Sequence, residues 1–408
     1  MQKSPILGGN VGAGVASAPS ARELIERARK LAPQLKARAF DADKARRVPD
    51  ESMRELIDAQ LFQILVPRRF GGFEQRFSNV LDVGLELARG CGSTAWLYCL
   101  LCNHHWILAH YPLEAQEEVY GGNNHAFFPQ TVSGKGGTAT PVDGGYVISG
   151  QWAFATGVDF SDWVSATVSL DKKDPHPLYD RLNFIARTSE TEIIDTWFTS
   201  GMRATGSRDF VLKEVFVPKR RVVSQADMLG GKTPGRQALP EYVMLGAPYF
   251  SVLLSAVLGP LLGLTLRTIE DFTAYTKGRA GIGGINHASR SSTQIKLGAA
   301  QARYDAMYRV ARAIFEEIED ALTKGQKISA EQKIRNRRDA ALVGDECTKI
   351  VDYLICSAGS RAQTDGSAFQ LIQRDVHTIR SHIVFDLEDA NEAYGRQMLG
   401  LPIDVLRF

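Results

Sequence analysis

The stretch Tyr146 to Trp163, YVISGQWAFATGVDFSDW, begins as a strand and ends as something else. Tyr146, Ile148 and Gly150 alternate with Val147, Ser149 and Gln151, a period of two. Asp143-Gly144-Gly145 just ahead of them is a hairpin turn signal. Trp152 and Phe154 follow on one face, and Ala155-Thr156-Gly157 breaks the strand. A hydroxyl beside a small residue and a glycine lets a flat ligand lie against backbone, and here two aromatics flank the place. An ordinary strand end with a packed Trp accounts for the same residues.

Outward from this stretch, the strand texture begins at Ala126 and ends near VFVPKRRVV. Gly145 to Trp152, Trp163 to Leu170, Leu182 to Arg187 and Phe210 to Val217 read as strands. Turn signals about every ten residues predict a small antiparallel sandwich or barrel. Gly230 to Gly235 reads as a loop. Upstream the chain is helical: a capping box at Ser20 and Glu23 opens a helix from Ala21 to Arg38. Further helices are expected at Pro49 to Ala59, Ser78 to Arg89, Ser93 to His110 and Leu113 to Val119, with a short apolar element, LFQILVPRRFGGFE, between them. Downstream, helices are expected at Pro248 to Tyr275, kinked at Gly259-Pro260, and at Ser291 to Ile318, Ala330 to Ser357 and Ser367 to Val384. The class is α+β: a flexible tail (1–19), an N-terminal helical domain (20–124), a central β-domain (125–235) and a C-terminal four-helix bundle (236–408).

Bulk properties remove several functions. The 408 residues are 44% hydrophobic and 23% charged, as in a soluble globular protein, and the net charge of +2 makes no electrostatic case for nucleic acid or an acidic membrane. The apolar run Phe250 to Leu264 is short for a membrane span, and the N-terminus has no signal-peptide core. Five scattered cysteines suit a reducing cytoplasm. Cys99 and Cys102 form a CxxC inside an apolar run without a second pair, so they read as core thiols and no metal site is expected.

The order helical, β, helical bundle resembles the acyl-CoA dehydrogenase fold, which carries a flavin between its β-domain and its bundle. GSTAWLYCLLCNHHW (Gly92 to Trp106), WFTSGMRATGSRDFVLKEVFVP (Trp197 to Pro218) and RDVHTIRSH (Arg374 to His382) are similar to segments of the two-component flavin monooxygenases of that fold. Acyl-CoA dehydrogenases need a carboxylate base. Ser381, His382 and Ile383 stand at one of its known locations and Ser251 to Leu254 at the other, so neither holds an acid. The resemblance implies an oxygenase component that takes reduced FMN or FADH2 from a separate NAD(P)H:flavin reductase and hydroxylates a small phenolic or indolic molecule with O2, by way of a C4a-hydroperoxide. It also implies a homotetramer. An acyl-CoA dehydrogenase or oxidase with an unrecognised base, an N- or S-oxygenase of the same fold, and a helical scaffold without flavin are the alternatives.

Residue roles come from the same resemblance. His382 would face flavin C4a and His104 the substrate cavity, with Thr156 at flavin N5 and Ser161 a weaker substitute. Trp152, Phe154 and Trp197 would wall or stack on the ring system. Arg203 and Ser207 lie on the loop of the second motif, and Arg279 or Arg361 would hold the flavin phosphate, Arg279 across a subunit boundary. His105 and His377 are offset from their neighbours and read as structural. The Gly-rich stretch after Arg279 follows no strand, so no nicotinamide site is expected.

Overall fold

Ser20 and Glu23 close the expected capping box: the Glu23 carboxylate accepts from the Ser20 N–H at 2.6 Å, and the Ser20 hydroxyl accepts from the Glu23 N–H at 3.3 Å. The helix they start, α1 (Ala21–Ala45), runs beyond the expected end, through Pro33, to a left-handed cap at Arg46. This computed structural model describes residues 18–121, 126–132, 134–279, 284 and 286–403, so most of the predicted tail lies outside the described residues. Four helices complete the first part: α2 (Asp50–Asp58), α3 (Phe77–Ala88), α4 (Gly92–Leu108) and α5 (Leu113–Tyr120). The apolar element between α2 and α3 is a pair of 3-10 turns, Phe62–Leu65 and Arg68–Phe70.

Eight strands follow: β1 (Gln130–Thr131), β2 (Gly134–Val142), β3 (Gly145–Ala155), β4 (Trp163–Leu170), β5 (Arg181–Arg187), β6 (Glu192–Ile194), β7 (Arg208–Pro218) and β8 (Val222–Ser224). They form one sheet in the order β6-β7-β3-β2-β4-β5-β8, with β1 on β4. The sheet is mixed rather than wholly antiparallel, because β1 and β2 both pair parallel to β4. One face of β4 and β5 is apolar: Val164, Ala166, Val168, Leu182, Phe184 and Ala186 join Trp152 and Phe210 in a core of their own. The opposite face carries Ser165, Thr167 and Asn183, also buried.

The expected loop survives as residues 231–233, between two short helices, α6 (Gln225–Gly230) and α7 (Pro234–Ala238), that lead into the second helical part. It contains α8 (Tyr249–Lys277), α9 (Ser291–Thr323), α10 (Ala330–Ala358), α11 (Ala368–Arg380) and α12 (Leu387–Met398). Helix α8 runs on through Pro260. It is long and apolar enough to cross a bilayer, longer than its apolar run suggests, yet most of that window is buried inside the fold. Gly259 and Gly263, one turn apart, explain its packing: a Cβ there would stand 2.6 and 2.2 Å from the carbonyl oxygens of Leu81 and Leu85. Only glycines let α8 lie this close to α3, every residue of which is buried. One apolar core therefore joins helices from both ends of the chain.

Candidate functional site

Within α4, only Trp96 and Leu100 are not buried. They sit four residues apart, with His104 four further on, so the three form one stripe of the helix. Trp96 meets His382 edge-on, ring centroids 5.8 Å apart. On the opposite wall, a Cβ added to Gly157 would stand 3.1 Å from the Leu101 side chain, so the end of β3 leans directly on α4. Phe154 packs edge-to-face on Trp197 at 5.9 Å. The loop that follows Trp197 lies along α11: the Met202 N–H donates to the Asp375 carboxylate at 2.5 Å, and the Ser200 and Thr378 hydroxyls are 3.5 Å apart. These contacts frame the candidate cleft, with His382 against Trp96 at one end of the α4 stripe and His104 roughly 12 Å along it.

The two histidines are set in opposite senses. His104 Nδ1 lies 2.8 Å from the Phe128 carbonyl oxygen, which can only accept, so Nδ1 carries the proton and Nε2 keeps its lone pair. His382 Nδ1 instead accepts from the Val384 N–H at 3.3 Å, so its Nε2 carries the proton. Desolvation lowers both imidazoles to about 4, so both are neutral near pH 7. His104 is buried, whereas His382 is exposed. The expected helix through RDVHTIRSH ends at Arg380, and His382 caps the 3-10 turn beyond it. That break aims its ring back at Trp96.

The end of β3 is strained. Phe154 adopts φ +63°, a left-handed conformation rare for a bulky side chain, and the pairing with β7 slips between Trp152 and Ala155. Alternation fails there, so Trp152 and Phe154 do not share a face. Trp152 is 0% exposed, stacked on Phe210, and its indole N–H donates to the Thr167 carbonyl at 2.9 Å, so it is a core residue and no wall of the site. Phe154 is 56% exposed, Phe198 72% and Ile383 75%. Behind Phe154 three hydroxyls line up. Thr205 donates to the Met202 carbonyl at 3.0 Å, and Ser207 lies 2.7 Å from Thr205 and 2.6 Å from Thr156. With one hydrogen per hydroxyl, the run is Thr156 to Ser207 to Thr205 to Met202, and Thr156 Oγ1 is left with lone pairs for an N–H donor. Exposed aromatics, a left-handed glycine and an acceptor oxygen fit a flat heteroaromatic ring bearing an N–H.

Other predicted residues stand apart. The Trp197 indole N–H donates to the Met202 carbonyl at 3.0 Å, which holds the loop. Arg203 turns to α1, with Nε 3.3 Å from the Asp43 carbonyl. Ser161 donates to the Gly157 carbonyl at 2.8 Å and braces that turn. Arg279 donates to the Ala358 carbonyl at 2.7 Å and contacts Tyr275, and exposed Arg361 lies just beyond Gly359. Tyr275 packs on Phe369, near the start of α11. His382 follows its other end, roughly 20 Å away along the helix. Within one chain the two arginines therefore do not join the cleft. Cys99 and Cys102 are free and buried, and His377 pairs with Asp352 at 2.9 Å. Trp96, Leu100 and Asp375 were not singled out from the sequence. Spacing four and eight residues back from His104 points to the first two.

Two family models match: the acyl-CoA dehydrogenase N-terminal domain over residues 18–122 and the acyl-CoA dehydrogenase C-terminal domain over residues 256–387. The oxygenase subunit HsaA of a flavin-dependent monooxygenase from Rhodococcus jostii is 29% identical over 383 residues, covering 93% of this chain and 99% of that protein. The oxygenase component of an FADH2-dependent resorcinol hydroxylase from Rhizobium sp. is 29% identical, covering 93% of this chain and 94% of that protein. The crystal structure of the HsaA monooxygenase from M. tuberculosis superposes with a TM-score of 0.89 at 27% identity, covering 96% of this chain and all of that one.

Proposed function

The chain belongs to the acyl-CoA dehydrogenase family, among its flavin-dependent monooxygenase oxygenase components, and from that premise we propose that it hydroxylates a small phenolic or indolic molecule, with reduced FMN or FADH2 delivered by a separate reductase. Bound in the cleft, reduced flavin supplies the activation of O2. The chain's own residues do the rest. Thr156 Oγ1 is ready to accept from the N5–H that reduced flavin has and oxidised flavin lacks. Nε2–H of His382 donates to oxygen at the flavin edge without removing a proton from it. His104 Nε2 accepts the substrate's phenolic or indolic proton and so makes the ring more nucleophilic. Trp96, Leu100 and Phe154 keep bulk water off the reacting atoms.

The opposite settings of the two histidines carry this reading: one site offers a hydrogen and the other a lone pair, on one stripe of one cleft. Acyl-CoA dehydrogenation is disfavoured by the same geometry, because Asp375, the buried acid beside the loop after Trp197, is engaged by the Met202 N–H. The test is anaerobic titration with reduced FMN and FAD, then oxygen and a panel of phenols and indoles. Tighter binding of reduced than oxidised flavin and oxygen incorporated into an aromatic product are expected. NADH oxidation by the chain alone, or reduction of an artificial acceptor by acyl-CoA, would overturn it.

A further inference from the structure

The buried polar face of β4 and β5 needs a reason. Thr167 is opposite Asn183 in the register and Ser169 opposite Arg181. Most polar groups here are satisfied. Thr167 Oγ1 donates to Asn183 Oδ1 at 3.1 Å, Asn183 Nδ2 donates to Gln225 Oε1 at 2.7 Å, and the Ser165 hydroxyl donates to the Phe184 carbonyl at 2.7 Å. Two groups are not. Tyr249, the first residue of α8, is 3% exposed and its hydroxyl has no partner. Arg181 Nε is likewise buried and unpartnered, and its one hydrogen bond is a 3.5 Å contact from Nη2 to the Thr167 carbonyl. No carboxylate among the described residues pairs with Arg181. Burial disfavours the charge on Arg181 and pushes the Tyr249 phenol up to about 12, so the phenol stays a neutral donor near pH 7. A buried guanidinium N–H and a buried phenol, each without an acceptor, are exceptions that call for one, and a ligand can supply it.

The place lies against the later turns of α4, the helix that carries His104. Tyr249 packs on Trp106 of α4, the helix that carries His104, with ring centroids 6.3 Å apart. Phe128, which holds His104, is two residues before Gln130, which contacts Ser165 on the same sheet face. Resting on the oxygenase reading above, we propose that Arg181 and Tyr249 bind a carboxylate on the aromatic substrate, so that the enzyme is selective for aryl acids whose ring is presented to His104. Charge-assisted bonds from a guanidinium and a phenol to one carboxylate would complete both orphaned donors.

The test uses the enzyme with reduced flavin under anaerobic conditions and four probes: 4-hydroxyphenylacetate, indole-3-acetate and their carboxamides. Equilibrium dialysis should show at least one acid bound about tenfold or more tighter than its carboxamide. In Arg181→Met and Tyr249→Phe that preference should collapse with carboxamide affinity unchanged, and Arg181→Lys should restore part of it. Tyr249→Phe keeps the ring and its packing, so it guards against a folding defect in the arginine variant. Wild type with no preference for either acid, or variants that keep the preference, overturns the inference. Oxygenation is judged separately, by product formed per reduced flavin. An enzyme that hydroxylates carboxamides as readily as acids sinks the pocket and leaves the oxygenase standing, and one that holds acids through Arg181 but oxygenates nothing does the reverse.

Discussion

His382 and His104 differ by which nitrogen is bare, and the difference predicts distinct failures on truncation. His382→Ala should bind reduced flavin nearly normally but lose product per flavin by about 10²–10⁴-fold, with hydrogen peroxide rising to match. His104→Ala should consume flavin and oxygen at the wild-type rate without substrate present, and slow only product formation. Equal product yields for wild type and His382→Ala would remove that residue from the chemistry. Acid behaviour separates these sites from ordinary histidines. Both imidazoles stay neutral until the pH approaches about 4, so the acid limb of product yield should fall well below the ordinary 6.5. An acid limb at 6.5 would show that neither site is desolvated in the working enzyme.

At the scale of elements, α11 couples its buried carboxyl to the loop behind Trp197. Burial raises the Asp375 carboxyl to about 7, against the Met202 hydrogen bond that lowers it. The folded chain thus holds a proton that the unfolded chain releases near 3.8. The sign follows: this group's contribution to stability is greatest at low pH and is lost as pH rises toward 7. His104 and His382 act in the opposite sense, because their folded values lie below the unfolded one. Comparison with Asp375→Asn isolates the carboxyl: the variant should gain urea resistance relative to wild type between pH 5 and 8, and a difference that does not change with pH would refute the assignment. Elements also show where sequence was legible. The period of two found β3, and the capping box found α1 to the residue at its start. The spacing could not show Phe154 in a left-handed conformation, because tertiary contacts override the preference of a bulky side chain. Nor could it show β1 and β2 running parallel to β4, since strand partners are set by topology and not by period. RDVHTIRSH singled out His382, but nothing in its helical spacing announced the stop at Arg380 that turns the ring toward Trp96.

For the whole molecule, Arg279 and Arg361 sit at the far end of α11 from the cleft, and Ile295, Leu342, Tyr353, Met398 and Leu399 are exposed along the bundle. A homotetramer in which each bundle presents its arginines to a neighbour's flavin accounts for both. Light scattering at micromolar concentration should give four chains, and Arg279→Ala should weaken flavin binding about tenfold or more without dissociating them. A monomer that binds flavin as tightly as wild type would end this arrangement. The sequence pointed to such a shared site only through the family resemblance, because no spacing within one chain can show what a second copy would contribute. The polar face of β4 and β5 has a different consequence. Oxygen handling is assigned to His382 and the β3 turn, whereas recognition of the substrate's tail is assigned to the polar face of β4 and β5 and the start of α8, a different set of residues. The two tasks can drift independently: laboratory evolution toward new substrates should collect changes at positions 165, 167, 181, 183 and 249 while His382 and Thr156 stay fixed, so one oxygenating engine can be retargeted by rewriting the floor beneath it.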